Sequence, residues 1–202
     1  MHYPRMILIT TLLSITFSPI TLAADRTDVR EKWHTPYDLY LSPTEAHTIK
    51  TANPDSVLLI DVRTRAEVKF IGMASAVDAN IPIRFLDTDY NWSDKQNTYR
   101  TRPNENFAAE IEGLLKKRNL DKSAAVILMC QSGSRAPIAA SALHKAGFDK
   151  VYTQHEGFEG LKSTLEKDMG ARNVNGWKNA GLPWSYKLAP EKMYFNFSLS
   201  QE

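Results

Sequence analysis

Among 202 residues there is one cysteine, Cys130, so no disulfide can form within the chain. There are five histidines, and His34 and His155 have no partners at the spacing a zinc site needs. His47 and His144 fall on helical patterns as solvated surface positions. A marked excess of charge of one sign is also missing. A formal net charge of +2 gives no electrostatic basis for binding nucleic acid or a membrane surface. No internal repeat or low-complexity tract occurs. The longest uncharged apolar run, Met6 to Phe17, is too short to span a bilayer comfortably.

That run follows a single cation, Arg5, and gives way to small residues at Thr21, Ala23 and Ala24. A charged start, an apolar core and a small-residue exit read as a secretory signal peptide over residues 1–23. No arginine pair marks the twin-arginine route, and no cysteine follows the exit to carry a lipid, so the mature chain is expected to have no membrane anchor. Losing the leader removes only Arg5 from 25 Lys and Arg, which stay one ahead of 23 Asp and Glu. Export is expected, with a bacterial periplasm as the natural destination. The mature length of about 180 residues suits one domain. The expected organisation is an arm with a first strand over 24–41, a domain over 42–186 and a tail over 187–202.

Residues 24 to 36 are polar and read as a loose arm. "LSPTEAHTIKTANP" starts a helix, with Ser42 as N-cap, Pro43 in the first turn and Glu45 completing a capping box. "SVLLIDVR" is an aliphatic run of the kind a fully buried parallel strand needs. "TRAEVKFIG" is a short helix stopped by Gly72, and "DANIP" a brief strand. Residues 84–103 are polar and aromatic without periodicity, in the manner of a lid or a surface excursion. Phe107, Ile111, Leu114 and Leu115 then share a helical face, with Asn104 as its expected cap. "AAVILMC" is the most apolar strand, "SRAPIAASALHKAG" a helix with Ser134 as N-cap and Gly147 as stop, and "KVYTQ" a further strand. Residues 156–170 offer a turn and a helix; Trp177 and Trp184 read as core staples. Strands alternating with helices give an α/β domain with a parallel sheet.

In such sheets ligands sit at the carboxyl ends of strands, and Cys130 closes the most apolar and therefore central one. A lone thiol outside the cytosol is either buried and inert or there for chemistry. Between it and the next helix lie Gln131, Ser132, Gly133 and Ser134. A tight turn there points backbone N–H groups at the sulfur, and the helix behind adds its unpaired N–H groups and dipole. Such a concavity binds anions and favours a thiolate. Gly133 supplies backbone angles that a side chain would forbid. Arg135, in the first helical turn, is poorly placed for the dipole; it is available either to receive an anionic substrate or to pair with a carboxylate.

"LLIDVRTRAE", "ANIP", "ILMCQSGSRA", "ALHKAGF" and "EGFEG…GW…GLPW" together resemble a single-domain rhodanese, a thiosulfate-type sulfurtransferase, from about Ser42 to Trp184. The resemblance implies a rhodanese-like fold, a five-stranded parallel sheet flanked by helices on both faces. It implies that Cys130 carries sulfane sulfur as a persulfide, with no other cofactor and no metal. Gln131, Ser132, Gly133, Ser134 and Arg135 would then form the substrate cradle, mainly through backbone N–H groups, with Arg135 as the anion-facing side chain. Asp61 and Arg63 match the family's D-V-R and would order the loops beside the site. The implied partners are a small sulfur-donor anion and a thiol acceptor, a protein acceptor being one form of the latter. The resemblance also implies ping-pong transfer from thiosulfate or a persulfide donor to a thiol or cyanide.

Two other readings stand beside this one: a non-catalytic sulfur carrier or partner-binding module, and a phosphatase-type enzyme. The second is opposed by loop length, because four residues separate Cys130 from Arg135 where phosphatase relatives have five. The chain departs from the family at "GMASAVDANIP", where Met73 replaces a histidine. It also carries longer stretches at 84–103 and 161–176, either of which would roof the site with Tyr90, Trp92 or Tyr99 or stand as decoration.

Overall fold

The computed structural model describes residues 26–87, 89 and 91–195. The leader and Tyr90 lie outside the described residues. The central sheet has five strands: β1 (Tyr40–Leu41), β2 (Val57–Asp61), β3 (Ala79–Asn80), β4 (Ala125–Met129) and β5 (Val151–Gln154). All neighbours are parallel, in the order β1-β5-β4-β2-β3. Four helices follow the strands: α1 (Pro43–Ala52), α2 (Arg65–Ile71), α3 (Phe107–Lys117) and α4 (Ala136–Lys145).

The side-chain alternation of the strands divides the interior in two. Leu58, Ile60, Val126 and Leu128 pack with Phe107, Ile111 and Leu115 of α3 and Ala139, Ala140 and Leu143 of α4. Val57, Leu59, Ile127 and Met129 face the other way, onto Ala46, Val68 and Trp177. A strand covered on both faces must be apolar at every position, which is why "VLLI" and "VILM" are unbroken. Each such side chain contributes roughly 1.5–3 kcal/mol by leaving water. β4 holds the middle of the sheet, so Cys130 leaves from its centre.

Local signals set the helix ends. The Ser42 N–H donates to Glu45 Oε2 at 2.7 Å and the Glu45 N–H to Ser42 Oγ at 3.3 Å, a complete capping box. Thr64 and Glu67 repeat the device on α2, which stops at Gly72 with φ +89°. Gly147, at φ +78°, ends α4 as expected.

Several expectations are corrected. Ser134 is not the cap of α4: Arg135 holds that position, with no side-chain cap bond. The turn is set instead by the thiol, as described below. Asn104 stands two residues before the N-cap Asn106, whose N–H it accepts at 3.1 Å. Residues 156–170 form only a 3-10 turn at Glu166–Asp168. Leu165 and Met169, one helical turn apart, face solvent at 61% and 67% exposure, so a helix there would have no apolar face to bury. The stretch 84–103 is a hairpin with two antiparallel ladders, Arg84–Leu86 with Thr101–Pro103 and Trp92–Ser93 with Thr98–Tyr99. Asn97 reverses the chain at φ +50°. Trp92 and Tyr99 meet edge to face at its outer end, both about half exposed. The arm is not loose, because Val29 and Thr35 are buried.

Beside β4, the end of β2 holds a fully buried ion pair. Arg63 Nη2 lies 2.6 Å from Asp61 Oδ2, with both side chains 0% exposed. Arg63 also donates to the Gly72 carbonyl at 2.8 Å and lies over the Phe158 ring at 4.1 Å. Asn80 donates to the Asp61 and Arg63 carbonyls, tying β3 to the same rim. Removing one partner strands the other charge. Asp61→Ala is therefore expected to lower unfolding free energy by about 3–5 kcal/mol, read by denaturant melts. Replacing both residues with leucine and methionine is expected to restore most of the loss, and a single-mutant loss below about 1 kcal/mol would contradict the assignment.

Candidate active site

Cys130 follows β4 directly and is fully buried. On one side its neighbours are the apolar residues of the α3–α4 core. On the other, the loop turns back on the sulfur. The Gly133 N–H donates to Cys130 Sγ at 3.2 Å and the Arg135 N–H at 3.4 Å. The amides of Gln131, Ser132 and Ser134 donate to no protein acceptor among the described residues. α4 begins one residue later, so its positive end adds to the same concavity.

This curl is possible because Gly133 takes φ +90°. There is no room for more: a Cβ on Gly133 would lie 1.8 Å from the His155 carbonyl oxygen and 3.2 Å from Trp33 Cζ3. The segment after β5 forms the outer wall. The Phe158 N–H donates to the Cys130 carbonyl at 2.7 Å, and those of Glu159 and Gly160 donate to the Gln131 carbonyl. Gly157 lets this wall approach, since a Cβ there would lie 2.3 Å from Ser132 N. Gln154 fixes Gly157 by accepting its N–H at 2.6 Å. The Gln131 side chain donates to Glu159 Oε2 at 2.7 Å.

The Arg135 side chain takes the second of the two fates left open for it. Its guanidinium grips Glu67 with two bonds, Nη1 to Oε2 at 2.7 Å and Nη2 to Oε1 at 2.5 Å. Glu67 also accepts from the Thr64 N–H and hydroxyl. Burial alone would raise the carboxyl's pKa, but the hydrogen bond and charge of Arg135, with the two hydrogen bonds from Thr64, hold it below the usual carboxylate range. Burial likewise works against the charged form of Arg135, and Glu67 overrides it, with further help from Cys130 and Asp61. The pair staples the start of α2 to the start of α4. In place of the anion-facing cation expected at Arg135, the loop presents backbone amides and an arginine already balanced.

The expected loop residues, Gln131 to Arg135, are thus brought together around Cys130, with Asp61 and Arg63 at the neighbouring strand end. Among the contributors that sequence does not single out, three show why. Glu67 is signalled by the pattern Thr64-x-x-Glu67, and Gly157 by its place just after a strand. Trp33 has no local signal, since it comes from an arm distant in sequence. Trp177 is fully buried as expected, and Trp184 is half-buried against Phe158. Among the described residues, no group of three or more His, Cys, Asp or Glu could hold a metal ion. No helix among them is long and apolar enough to cross a membrane.

A parallel α/β sheet with a thiol at its central carboxyl edge, ringed by the amides of a short loop, defines a class of cysteine-loop domains. The chain belongs to one family within it: the model of the rhodanese-like domain matches residues 42–164. An uncharacterized protein of Rickettsia conorii is 29% identical over 144 residues, which is 71% of this chain and 94% of its own. An uncharacterized protein of Rickettsia prowazekii is 27% identical over 143 residues, with the same coverage of 71% and 94%. The crystal structure of Rv0390 from M. tuberculosis is similar at TM-score 0.51 and 29% identity, over 73% of this chain and 97% of that one. The polysulfide-sulfur transferase homodimer from Wolinella succinogenes gives TM-score 0.41 at 25% identity, over 72% and 77%.

A carboxyl held below its ordinary pKa stabilises the fold fully above the unfolded value, and that stability is lost as pH falls through the folded one. Glu67→Gln is therefore expected to lower stability by about 1–3 kcal/mol at neutral pH. The difference from wild type should close as acid titrates the carboxyl. Melting curves across this pH range check it, and a constant difference into strong acid would count against the pair.

Proposed function

We propose that this protein is a sulfurtransferase in which Cys130 carries sulfane sulfur as a persulfide. The observation that carries the reading is the pair of amides, from Gly133 and Arg135, directed at Cys130 Sγ at the end of the central strand. Membership of the rhodanese-like family supports it.

The chemistry is a double displacement. The Cys130 thiolate attacks the outer sulfur of thiosulfate or of a persulfide donor. The donor's S–S bond breaks, sulfite or a thiolate leaves with the electron pair, and a Cys130 persulfide forms. An acceptor thiolate, or cyanide, then attacks the outer sulfur and Cys130 leaves as thiolate. No electrons are gained or lost overall. Negative charge sits on or next to the same sulfur in each half-reaction, where the loop amides meet it without reorganising. The acceptor is a thiol, borne on a small molecule or on a protein.

Intact-mass measurement after incubation with thiosulfate tests the reading. Wild type is expected to gain one sulfur atom and release it to cyanide, while Cys130→Ser gains none. Steady-state rates with both substrates varied are expected to give parallel double-reciprocal lines. No added mass with any sulfane donor would refute the proposal, and loading that no thiol acceptor discharges would leave a carrier role instead.

The leader pattern supports a second proposal, that the mature protein works in the periplasm. Fractionation and N-terminal sequencing of the expressed chain are expected to recover it from the periplasm, starting just after residue 23. Recovery from the cytosol with residues 1–23 intact would overturn that localisation.

A further inference from the structure

The Cys130 loop is enclosed on its outer side by two groups that meet Gly133. One is the His155 carbonyl, from the segment that follows β5. The other is Trp33 Cζ3, which lies 3.2 Å from the position a Cβ on Gly133 would take. The two differ in origin. His155 lies inside the stretch matched by the family model, residues 42–164, and Trp33 lies nine residues before it.

The arm that carries Trp33 is anchored on both sides of it. Val29 is buried at 5% exposure, and His34 Nε2 lies 3.0 Å from the Val29 carbonyl. The Thr35 N–H donates to the Tyr40 hydroxyl at 2.9 Å, joining the arm to β1. Arg30 and Lys32 lie over the indole, at 4.8 and 5.8 Å from its centre. Trp33, Val29 and Arg30 of the arm line a cavity of about 80 Å³ with His155, Leu161 and Asn175, from the chain that follows β5. Without the indole that space would enlarge beside His155, whose carbonyl faces Gly133.

We propose that Trp33 is a positioning residue for the thiol site: it presses on Gly133 from outside and holds the loop closed, with the Gly133 N–H aimed at Cys130 Sγ. The inference rests on the reading of Cys130 as the nucleophile. It makes the functional unit larger than the family domain, because one wall of the loop is supplied by the arm. Two consequences pull in opposite directions. A loop no longer pressed from outside opens more often, and buried Cys130 becomes easier for a bulky reagent to reach. The same loop spends less time with its amides on the sulfur, so the step that builds charge there slows.

The test reads both on the full mature chain. Trp33→Ala is expected to raise the rate of Cys130 labelling by a bulky maleimide at least about fivefold and to lower the rate of persulfide loading from thiosulfate roughly tenfold. Trp33→Phe, which keeps a ring edge beside Gly133, is expected to restore both rates to within about twofold of wild type. Val29→Ala weakens the arm's anchorage without removing an atom beside the loop, and should shift both rates the same way by less. Thermal melts of each variant confirm that the sheet is folded. Rates that rise together, fall together or stay unchanged in a folded Trp33→Ala protein would overturn the proposal, as would a phenylalanine variant no better than alanine. If wild type itself takes up no sulfur, the sulfurtransferase reading fails, and maleimide labelling alone still decides whether Trp33 holds the loop shut.

Discussion

Two backbone N–H groups directed at one sulfur atom, from Gly133 at 3.2 Å and Arg135 at 3.4 Å, are the interaction around which the molecule is arranged. Amides bend round a side chain this way only if the loop is short, one residue takes a positive φ, and the chain enters and leaves along rigid elements. β4 supplies the entry from the middle of a sheet buried on both faces, and α4 supplies the exit. The wall after β5 then fixes the loop's carbonyls, since Phe158 donates its N–H to the Cys130 carbonyl and Glu159 and Gly160 donate theirs to the Gln131 carbonyl. Backbone dipoles held in place by covalent geometry do not have to reorient when charge arrives, which is the property that electrostatic stabilisation of a reacting thiolate requires.

Much of this was legible in the amino-acid sequence because the relevant signals are local. Unbroken aliphatic runs at Val57–Ile60 and Val126–Met129 mark strands covered on both sides. Ser42, Pro43 and Glu45 mark a helix start, and the lone Cys130 before a glycine marks the loop. What stayed hidden depends on partners far along the chain. Ser134 reads as a cap because serine caps helices, but the third residue of a helix capped there is Pro137, which has no N–H to donate, and the helix begins a residue later. Arg135 has two fates open to it in the sequence, and what decides between them is Glu67, 68 residues away, which has the geometry to hold it. The hairpin over 84–103 escaped notice because its ladders are two and three residues long, too short to show an alternating pattern.

The segments outside the family match are built onto the same body rather than hung from it. Trp177 is completely buried among residues of α1, α2 and the sheet, and Trp184–Ser185 pair with Met73–Ala74 as a small antiparallel ladder. The Trp177 indole N–H donates to the Pro183 carbonyl at 3.0 Å, closing that segment on itself. At the other end of the chain the arm brings Trp33 beside Gly133 of the cysteine loop. The family core therefore sits between two additions, one completing a hydrophobic interior and the other lying beside the loop.

The bond between Arg135 and Glu67 has a consequence for the surroundings in which the molecule can work. A pocket that gathers anions with free cations loses its pull as dissolved salt thickens the counterion cloud around it. Here Arg135 is matched by the Glu67 carboxylate, and what the loop itself offers to the sulfur species proposed above is a set of neutral peptide dipoles acting at contact range. Such a receptor gives up long-distance attraction and gains indifference to ionic strength, a fitting trait for a protein proposed to live where the medium is set by the outside world.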